Sequence, residues 1–465
     1  MTLMGRLADS LWNPWLLGLF LVTGLVYSAG SGFFQVFDLR LWVRSTLGSL
    51  FRRAEKTGGG LSSIQALSTA LASTMGTGSI AGVATALTLG GPGAIFWMWV
   101  SAFLGMMTSC GEKLLAVRYQ RPAPGGGLQG GPMFYLRDGL GSPPLALWFT
   151  LACLPATLAG GNLVQSSSIA ASLETAFGLD RLTVGVVTAL LAGLVMVGGV
   201  GRIARVSSAL VPAMALLYLG SGAAVLICRA DALPGALRMI VAGAFSPSAA
   251  LGGGAGWTAA SALRYGVARG VFTNEAGLGT SAMAHGAART DHPARQGMWG
   301  IFEVCLSTLV VCTITALVIL VSGVWHPLDP GALTGAPLTA AAFASVLGQT
   351  GEGVVALSLL LFAFSSILGW SYYGQQCLWY LTGGDRLMPI YRFIFLCCIP
   401  LGALWEPALV WQLVDLCNAF MALPNLAALL IMAPQALGLL GRWRKSQDFT
   451  SILPPHSRKF NIHHL

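Results

Sequence analysis

The sequence predicts an all-α, polytopic membrane protein with about eleven transmembrane helices. Ten of them form two five-helix groups of opposite orientation, behind one extra N-terminal helix. Three observations lead to this class. Of 465 residues, 55% are hydrophobic and 9% charged, with a mean hydropathy of +0.72, whereas a soluble chain carries about 25% charge. The apolar runs have helix length, not the alternating ten-residue pattern of barrel strands. Two of the runs are interrupted at their centres by glycine and hydroxyl residues, at corresponding places in the two groups.

The first apolar run covers residues 14–37. A signal peptide would be cleaved near Ser28-Ala29-Gly30, but the run continues through Phe33 and Phe34 into a basic block. That flank is of the stop-transfer kind, so a retained helix is expected. The next run, 62–90, reads SSIQALSTALASTMGTGSIAGVATALTLG, with Met75-Gly76-Thr77-Gly78-Ser79 at its centre. Glycine costs about 1 kcal/mol relative to alanine inside a helix and leaves the main chain open to approach. Opened main-chain groups are tolerated at mid-membrane only where they line a cavity or are buried in protein. The expectation is a span broken at its middle, its loose ends available to a solute and an ion.

Further runs lie near 93–118, 144–173, 183–200 and 206–228, followed by a second interrupted region at 258–288. Runs near 298–323, 353–382, 390–404 and 408–440 complete the set. Segments 231–257 and 324–352 read as Pro/Gly-rich connections. The Gly-rich stretch PAPGGGLQGGP (122–132) lacks the strand–helix context and the Lys of a phosphate-binding loop. The expected units are residues 1–61 (extra helix and basic cytoplasmic loop), 62–230 (first repeat), 231–257 (extracytoplasmic loop), 258–440 (second repeat) and 441–465 (basic cytoplasmic tail).

The net charge of +9 follows topology and does not imply nucleic acid. With the N-terminus outside, Arg and Lys cluster in the cytoplasmic segments: Arg40 to Lys56, then Lys113 to Arg137, Arg202 with Arg205, Arg289 with Arg295, Arg386 with Arg392, and the tail from Arg442 to Lys459. Cytoplasmic loops carry such an excess. The protein is thus expected in the cell's inner membrane, in contact with lipid, with its C-terminus in the cytoplasm. The nine cysteines lie mostly in apolar runs without CxxC or His/Cys spacing, so neither a disulfide framework nor a metal centre is expected. No HExxH, no GxSxG near a His and no paired Asp in facing spans points to an enzyme. No repeated filter loop points to a channel.

The second interruption reads GVARGVFTNEAGLGTSAMAHGAA (266–288). Phe272, Thr273, Asn274 and Glu275, followed by Gly277 and Gly279, put polar groups where a helix should run on. Glu275 would cost about 2.5–3.5 kcal/mol at this depth. It is either functional or a structural tie for unwound backbone N–H groups. His285 is either a hydrogen-bonded structural group or a proton shuttle. Interrupted spans at matching positions of two halves point to a transporter and its site, whereas a lone GxG would only let helices pack closely.

Five stretches carry a resemblance: GTGSIAGVATALTLGGPGAIFWMWV (76–100), GNLVQSSSIA (161–170), GVARGVFTNEAGLG (266–279), HPARQG (292–297) and FSSILGWSYYG (364–374). In this order and spacing they resemble the alanine/glycine:cation symporter family, from about residue 12 to 440. The resemblance implies a five-plus-five inverted repeat of the leucine-transporter type behind an extra first helix. It also implies cotransport of a small neutral amino acid with Na⁺ as coupling ion and no other cofactor. For the ion, it suggests the hydroxyls of Ser365 and Ser366 with carbonyls of Ala72, Met75 and Phe362, oxygens of the kind a hard cation takes. Two positions depart from the family pattern: Ser79 replaces an Asn that helps an ion beside the substrate, and Gln375 replaces an acidic residue near the inner end of its span, where gating is affected.

A zwitterionic substrate needs donors for its carboxylate and acceptors for its ammonium. The half-helix beginning at Gly76, Thr77, Gly78 and Ser79 offers N–H groups at a positive dipole end. Carbonyls around Phe272, Thr273 and Asn274 suit the ammonium. Asn162 and Gln165 either complete the polar set or bond neighbouring helices. Trp370 and Phe272 would wall the cavity and keep it small, which favours alanine or glycine. A proton-coupled carrier of the same fold, using Glu275 and His285, is the alternative.

Overall fold

The structure, a computed structural model, describes residues 10–50, 61–123, 126–245, 258–326, 333–405 and 407–452, together with Leu7. In lipid the backbone has no partner but itself, so apolar runs become helices. The elements used below are α1 (Pro14–Gly30), α2 (Ser63–Thr74), α3 (Ala81–Gly90), α4 (Gly93–Arg118) and α5 (Pro143–Phe177). They continue with α6 (Arg181–Met196), α7 (Gly199–Cys228), α8 (Leu233–Phe245), α9 (Ala259–Asn274) and α10 (Thr280–His285). The last are α11 (Pro293–Ser322), α12 (Gly335–Leu347), α13 (Gln349–Thr382), α14 (Met388–Leu404) and α15 (Pro407–Ile452). Among the described residues, α4, α5, α7, α11, α13 and α15 are long and apolar enough to cross a membrane. Helices α1, α3, α6, α12 and α14 are apolar but shorter. The protein is a mostly helical, multi-span assembly.

Local chemistry sets the ends. Asn13 caps α1 by accepting the Trp15 N–H at 2.9 Å, and Pro14 occupies the first turn, where its missing N–H costs nothing. The run expected to reach residue 37 stops at Gly30, because Gly32 (φ +69°) and Phe33 (φ 54°) adopt the left-handed conformation that terminates helices. Ser62 and Gln65 form a reciprocal capping box on α2. Asp180 caps α6. Its carboxylate accepts the Thr183 N–H at 2.8 Å, which holds that carboxyl below the usual carboxylate range.

Two segments expected to be plain connections contain helices. In 231–257, α8 packs on α4, and Trp97 donates from Nε1 to the Ala244 carbonyl at 3.3 Å. In 324–352, α12 packs on α13, and Thr339 donates to the Ile80 carbonyl at 3.2 Å. Both are too short to span, and their Pro/Gly flanks masked one apolar face. The Gly-rich loop is a small hairpin, with Arg121–Pro122 paired antiparallel to Leu128–Gln129. The basic residues Arg52, Arg53, Lys56, Arg458 and Lys459, and residues 246–257 of the expected extracytoplasmic loop, lie outside the described residues.

The core is held by close helix crossings. Helix α4 packs against α1, α9 and α11, while α2 packs against α7 and α13. At the α1–α4 crossing, a Cβ on Gly24 would stand 2.7 Å from the Leu104 Cβ, so only glycine admits that approach. On the outside, Leu190, Leu194, Leu216 and Ile227 are each at least 65% exposed, a surface suited to lipid.

Candidate functional site

The first break forms because α2 runs out of sequence that can continue a helix. Met75 still donates to the Leu71 carbonyl at 2.8 Å, and then Thr77–Ser79 make a single 3-10 turn before α3. The carbonyls of Ala72 and Ser73 therefore lose their helical donors. Hydroxyls from α13 fill the gap. Ser365 donates to the Ala72 carbonyl (3.1 Å) and to the Phe362 carbonyl (2.9 Å). Ser366 donates to the carbonyls of Ala72 (2.9 Å) and Ser73 (3.0 Å). Ala72, Phe362, Ser365 and Ser366 of the resemblance-derived set are thus joined by hydrogen bonds, whereas none of these bonds reaches the Met75 carbonyl.

Gln165 reaches the break from α5, accepting the Thr77 N–H at 3.1 Å and donating to the Gly160 carbonyl at 2.9 Å. The Ser79 carbonyl accepts from Thr315 at 2.8 Å. Among the described residues the N–H groups of Gly76 and Gly78 make no hydrogen bond. Both glycines sit in tight space. A Cβ on Gly76 would stand 2.5 Å from Ser366 Oγ, and one on Gly78 would stand 2.8 Å from Phe272 Cδ1 and 3.1 Å from Thr273 Oγ1. Trp370 lies against Gly161 as closely as glycine permits. Buried and without hydrogen-bond partners among the described residues are Thr77 Oγ1, Asn162 Oδ1 and Asn274 Nδ2. Buried polar atoms are normally paired, so each of the three is open to a further polar contact.

Helix α9 ends at Asn274. Glu275 (φ 56°), Gly277 (φ +91°) and Gly279 (φ +80°) carry the chain through left-handed turns to the six-residue α10. The tie for the unwound N–H groups comes from α4 and not from Glu275. Glu112 Oε1 accepts from Gly277 N and Gly279 N (both 3.0 Å) and from Asn425 Nδ2 at 2.7 Å. Glu275 instead accepts from the Thr280 hydroxyl at 2.5 Å. Beside Glu112, Lys113 Nζ lies 3.2 Å from Glu303 Oε2 and donates to Ser109 and Ser281 at 2.6 Å each. His285 Nε2 is 3.1 Å from the same Glu303 oxygen, and His285 Nδ1 is 2.6 Å from Gln296 Nε2. Glu112, Lys113, Glu303 and His285 are all fully buried. Lys113 is therefore not the cytoplasmic-segment charge that its place near the end of an apolar run suggests. It is the cation of a buried cluster joining α4, α10 and α11.

Other expected residues have partners of their own. Asn162 donates to the Phe395 carbonyl at 2.6 Å, leaving only its oxygen free. Gln375 accepts from Arg392 and lies toward the far end of α13. Phe272 stacks edge-on against Trp411, with ring centroids 4.8 Å apart. Above that ring, Arg269 pairs with Asp415 at 2.6 Å, and its guanidinium carbon lies 4.6 Å from the Trp411 ring centroid. Helix α9 and the first turns of α15 are thereby clamped together. The two interrupted segments also meet at their other ends, where Arg289 N donates to the Leu61 carbonyl at 3.0 Å.

A family model described as the sodium:alanine symporter family matches residues 1–452. The chain belongs to this family. The symporter is 40% identical over 438 residues to the sodium/alanine symporter AgcS of Methanococcus maripaludis, covering 93% of this chain and 94% of that one. It is 41% identical over 431 residues to an uncharacterized transporter of Haemophilus influenzae, covering 92% and 93% of the two chains. Its fold is similar to that of a manganese transporter of Eremococcus coleocola, with a TM-score of 0.54 and 16% identity over 81% of this chain and 84% of that one. The symporter is a multi-pass membrane transporter and not an enzyme. Glu112, Lys113 and Glu303 escaped the sequence reading of this symporter, although the adjacent charges in SCGEKLLAV within an otherwise apolar run were a visible signal.

Proposed function

We propose that the symporter imports a small neutral amino acid, alanine or glycine, together with Na⁺ by alternating access. The observation that supports this best is the gathering of the Ala72, Ser73 and Phe362 carbonyls with the Ser365 and Ser366 hydroxyls beside an unwound Gly76–Gly78 segment. Oxygen donors of this kind suit a hard cation. The free N–H groups of Gly76 and Gly78 take the carboxylate, while Gln165, Thr77 and Asn274 supply neighbouring polar contacts. Phe272 and Trp370 bound the space. A single methylene is worth only about 1–3 kcal/mol of discrimination in such a pocket, so alanine and glycine are both accepted.

In this reading eleven spans cross the membrane, with α1 as the extra helix. Residues 62–230 and 258–440 form the two inverted units, the N-terminus lies outside and the C-terminus in the cytoplasm of the inner membrane. One Na⁺ entering with a net-neutral substrate gains about 2.3 kcal/mol per 100 mV. A tenfold Na⁺ gradient adds about 1.4 kcal/mol. Together they concentrate the substrate a few hundredfold.

Uptake of labelled alanine into proteoliposomes should collapse when Na⁺ is replaced by choline at constant pH. Uptake that ignores Na⁺ and follows an imposed pH gradient would select proton coupling instead, through the His285–Glu303–Lys113 cluster. Ser366→Ala should raise the half-saturating Na⁺ concentration about tenfold, the loss of one bond to a charged group, and alter the order of amino-acid preference little. An unchanged Na⁺ dependence in a well-expressed variant removes Ser366 from the ion site.

A further inference from the structure

A cavity of about 510 Å³ opens between α13, the start of α14 and the 121–129 hairpin, within the size range of small-ligand pockets. It is distinct from the central site. Its wall carries Tyr372, Gln375, Gln376 and Trp379 from α13, Asp385 from the following turn and Arg392 from α14. Gln375 lies nine residues beyond Ser366, about 14 Å along the helix. Tyr373, next to the lining residue Tyr372, bonds Ser73 of α2 at 2.5 Å. The cavity thus lies on the side of the central site that the charge distribution assigns to the cytoplasm.

Its polar groups are incompletely matched among themselves. Arg392 donates from Nε (3.0 Å) and Nη2 (2.8 Å) to a single oxygen, Gln375 Oε1. That acceptor is neutral, so it orients the guanidinium without cancelling its charge. The Gln375 amide nitrogen is occupied by the Ser371 carbonyl at 3.1 Å. Among the described residues no ion pair joins Arg392 to Asp385, although both line this cavity. The lining therefore offers a fixed cation, Arg392. It also offers a carboxylate, Asp385.

That pairing is complementary to an amino-acid zwitterion. We infer that this cavity is a second substrate station on the cytoplasmic route, where Arg392 holds the carboxylate and Asp385 the ammonium. The inference rests on the amino-acid reading of the central site, and it assigns Gln375 a definite task. As a neutral residue it fixes the guanidinium while leaving the charge for the substrate, whereas a carboxylate there would take the charge for itself.

The test turns on that difference. Purified protein titrated calorimetrically with L-alanine in Na⁺-free choline buffer should show a weak binding phase. Gln375→Glu should weaken that phase about tenfold by pairing Arg392 internally. Arg392→Gln should weaken it similarly, and Arg392→Lys less. In proteoliposomes, Gln375→Glu should raise the ratio of efflux KM to uptake KM about tenfold, because only the exit side is altered. A purely structural Arg392 predicts the opposite, since a charged acceptor would strengthen its bond. No Na⁺-free binding in the wild type, or a phase that Gln375→Glu leaves unmoved or tightens, overturns the station. Loss of Na⁺-driven uptake in the wild type strikes the symport reading instead, and the Na⁺-free titration still decides the station.

Discussion

Lys113→Met should destabilise the folded protein by about 3–5 kcal/mol, the cost of leaving a buried charge without its partner. Lys113 is fully buried, and the Glu303 carboxylate 3.2 Å away is fully buried with it. Among the described residues, removing the ammonium leaves Glu303 with His285 as its one remaining side-chain neighbour within hydrogen-bond distance, and leaves Glu303 Oε1 still unpartnered. The ammonium also ties Ser281 of α10 to Ser109 of α4, so the short second half-helix loses its anchor. The variant should show a sharply lower melting temperature in detergent and a reduced yield of monodisperse protein. Lys113→Met combined with Glu303→Gln should recover part of the loss, because the uncompensated charge goes with it. A single variant as stable as wild type would show that the cluster is not held by charge.

Gly78→Val should abolish substrate binding and transport while leaving the protein foldable. A Cβ at this position stands 2.8 Å from the Phe272 ring and 3.1 Å from the Thr273 hydroxyl, closer than ordinary contact, and valine adds two methyls beyond it. Overpacking of this sort costs about 1–3 kcal/mol in a core, which the whole assembly survives. The binding site does not survive it, since the same methyls occupy the approach to the free N–H groups at the break. Gly78→Ala should retain partial activity. Saturable alanine uptake of normal affinity in a well-folded Gly78→Val variant would mean that the solute binds elsewhere.

How much of this was legible in the sequence differs from feature to feature. Both interruptions were legible, because glycine and hydroxyl residues at the centre of an apolar run conflict with a lipid-facing helix. The serines at 365 and 366 came from the family resemblance, and the α2 carbonyls that meet them were freed by the break. The tie of Gly277 and Gly279 to Glu112 was hidden, since the two ends lie 165 residues or more apart in the chain. Glu275 looked like the natural candidate only because it is adjacent. Asn162 was read with two possible roles, and its Nδ2 goes to the Phe395 carbonyl of α14. Lys113 was misassigned because a charge near the end of an apolar run reads the same whether it leaves the membrane or turns into the core.

What the sequence determined alone was the solvent of each segment. A run of apolar side chains must be helical in lipid, and basic residues collect at its cytoplasmic side, so the multi-span class followed from composition and order. What the tertiary structure decided was which polar atoms meet. Hydrogen bonds and ion pairs act over about 3 Å, and no periodicity along one chain records the packing of α4 on α10 and α11, or of α13 on α2. That packing made Lys113 an internal counter-ion and left the Arg392 charge uncancelled beside a cavity.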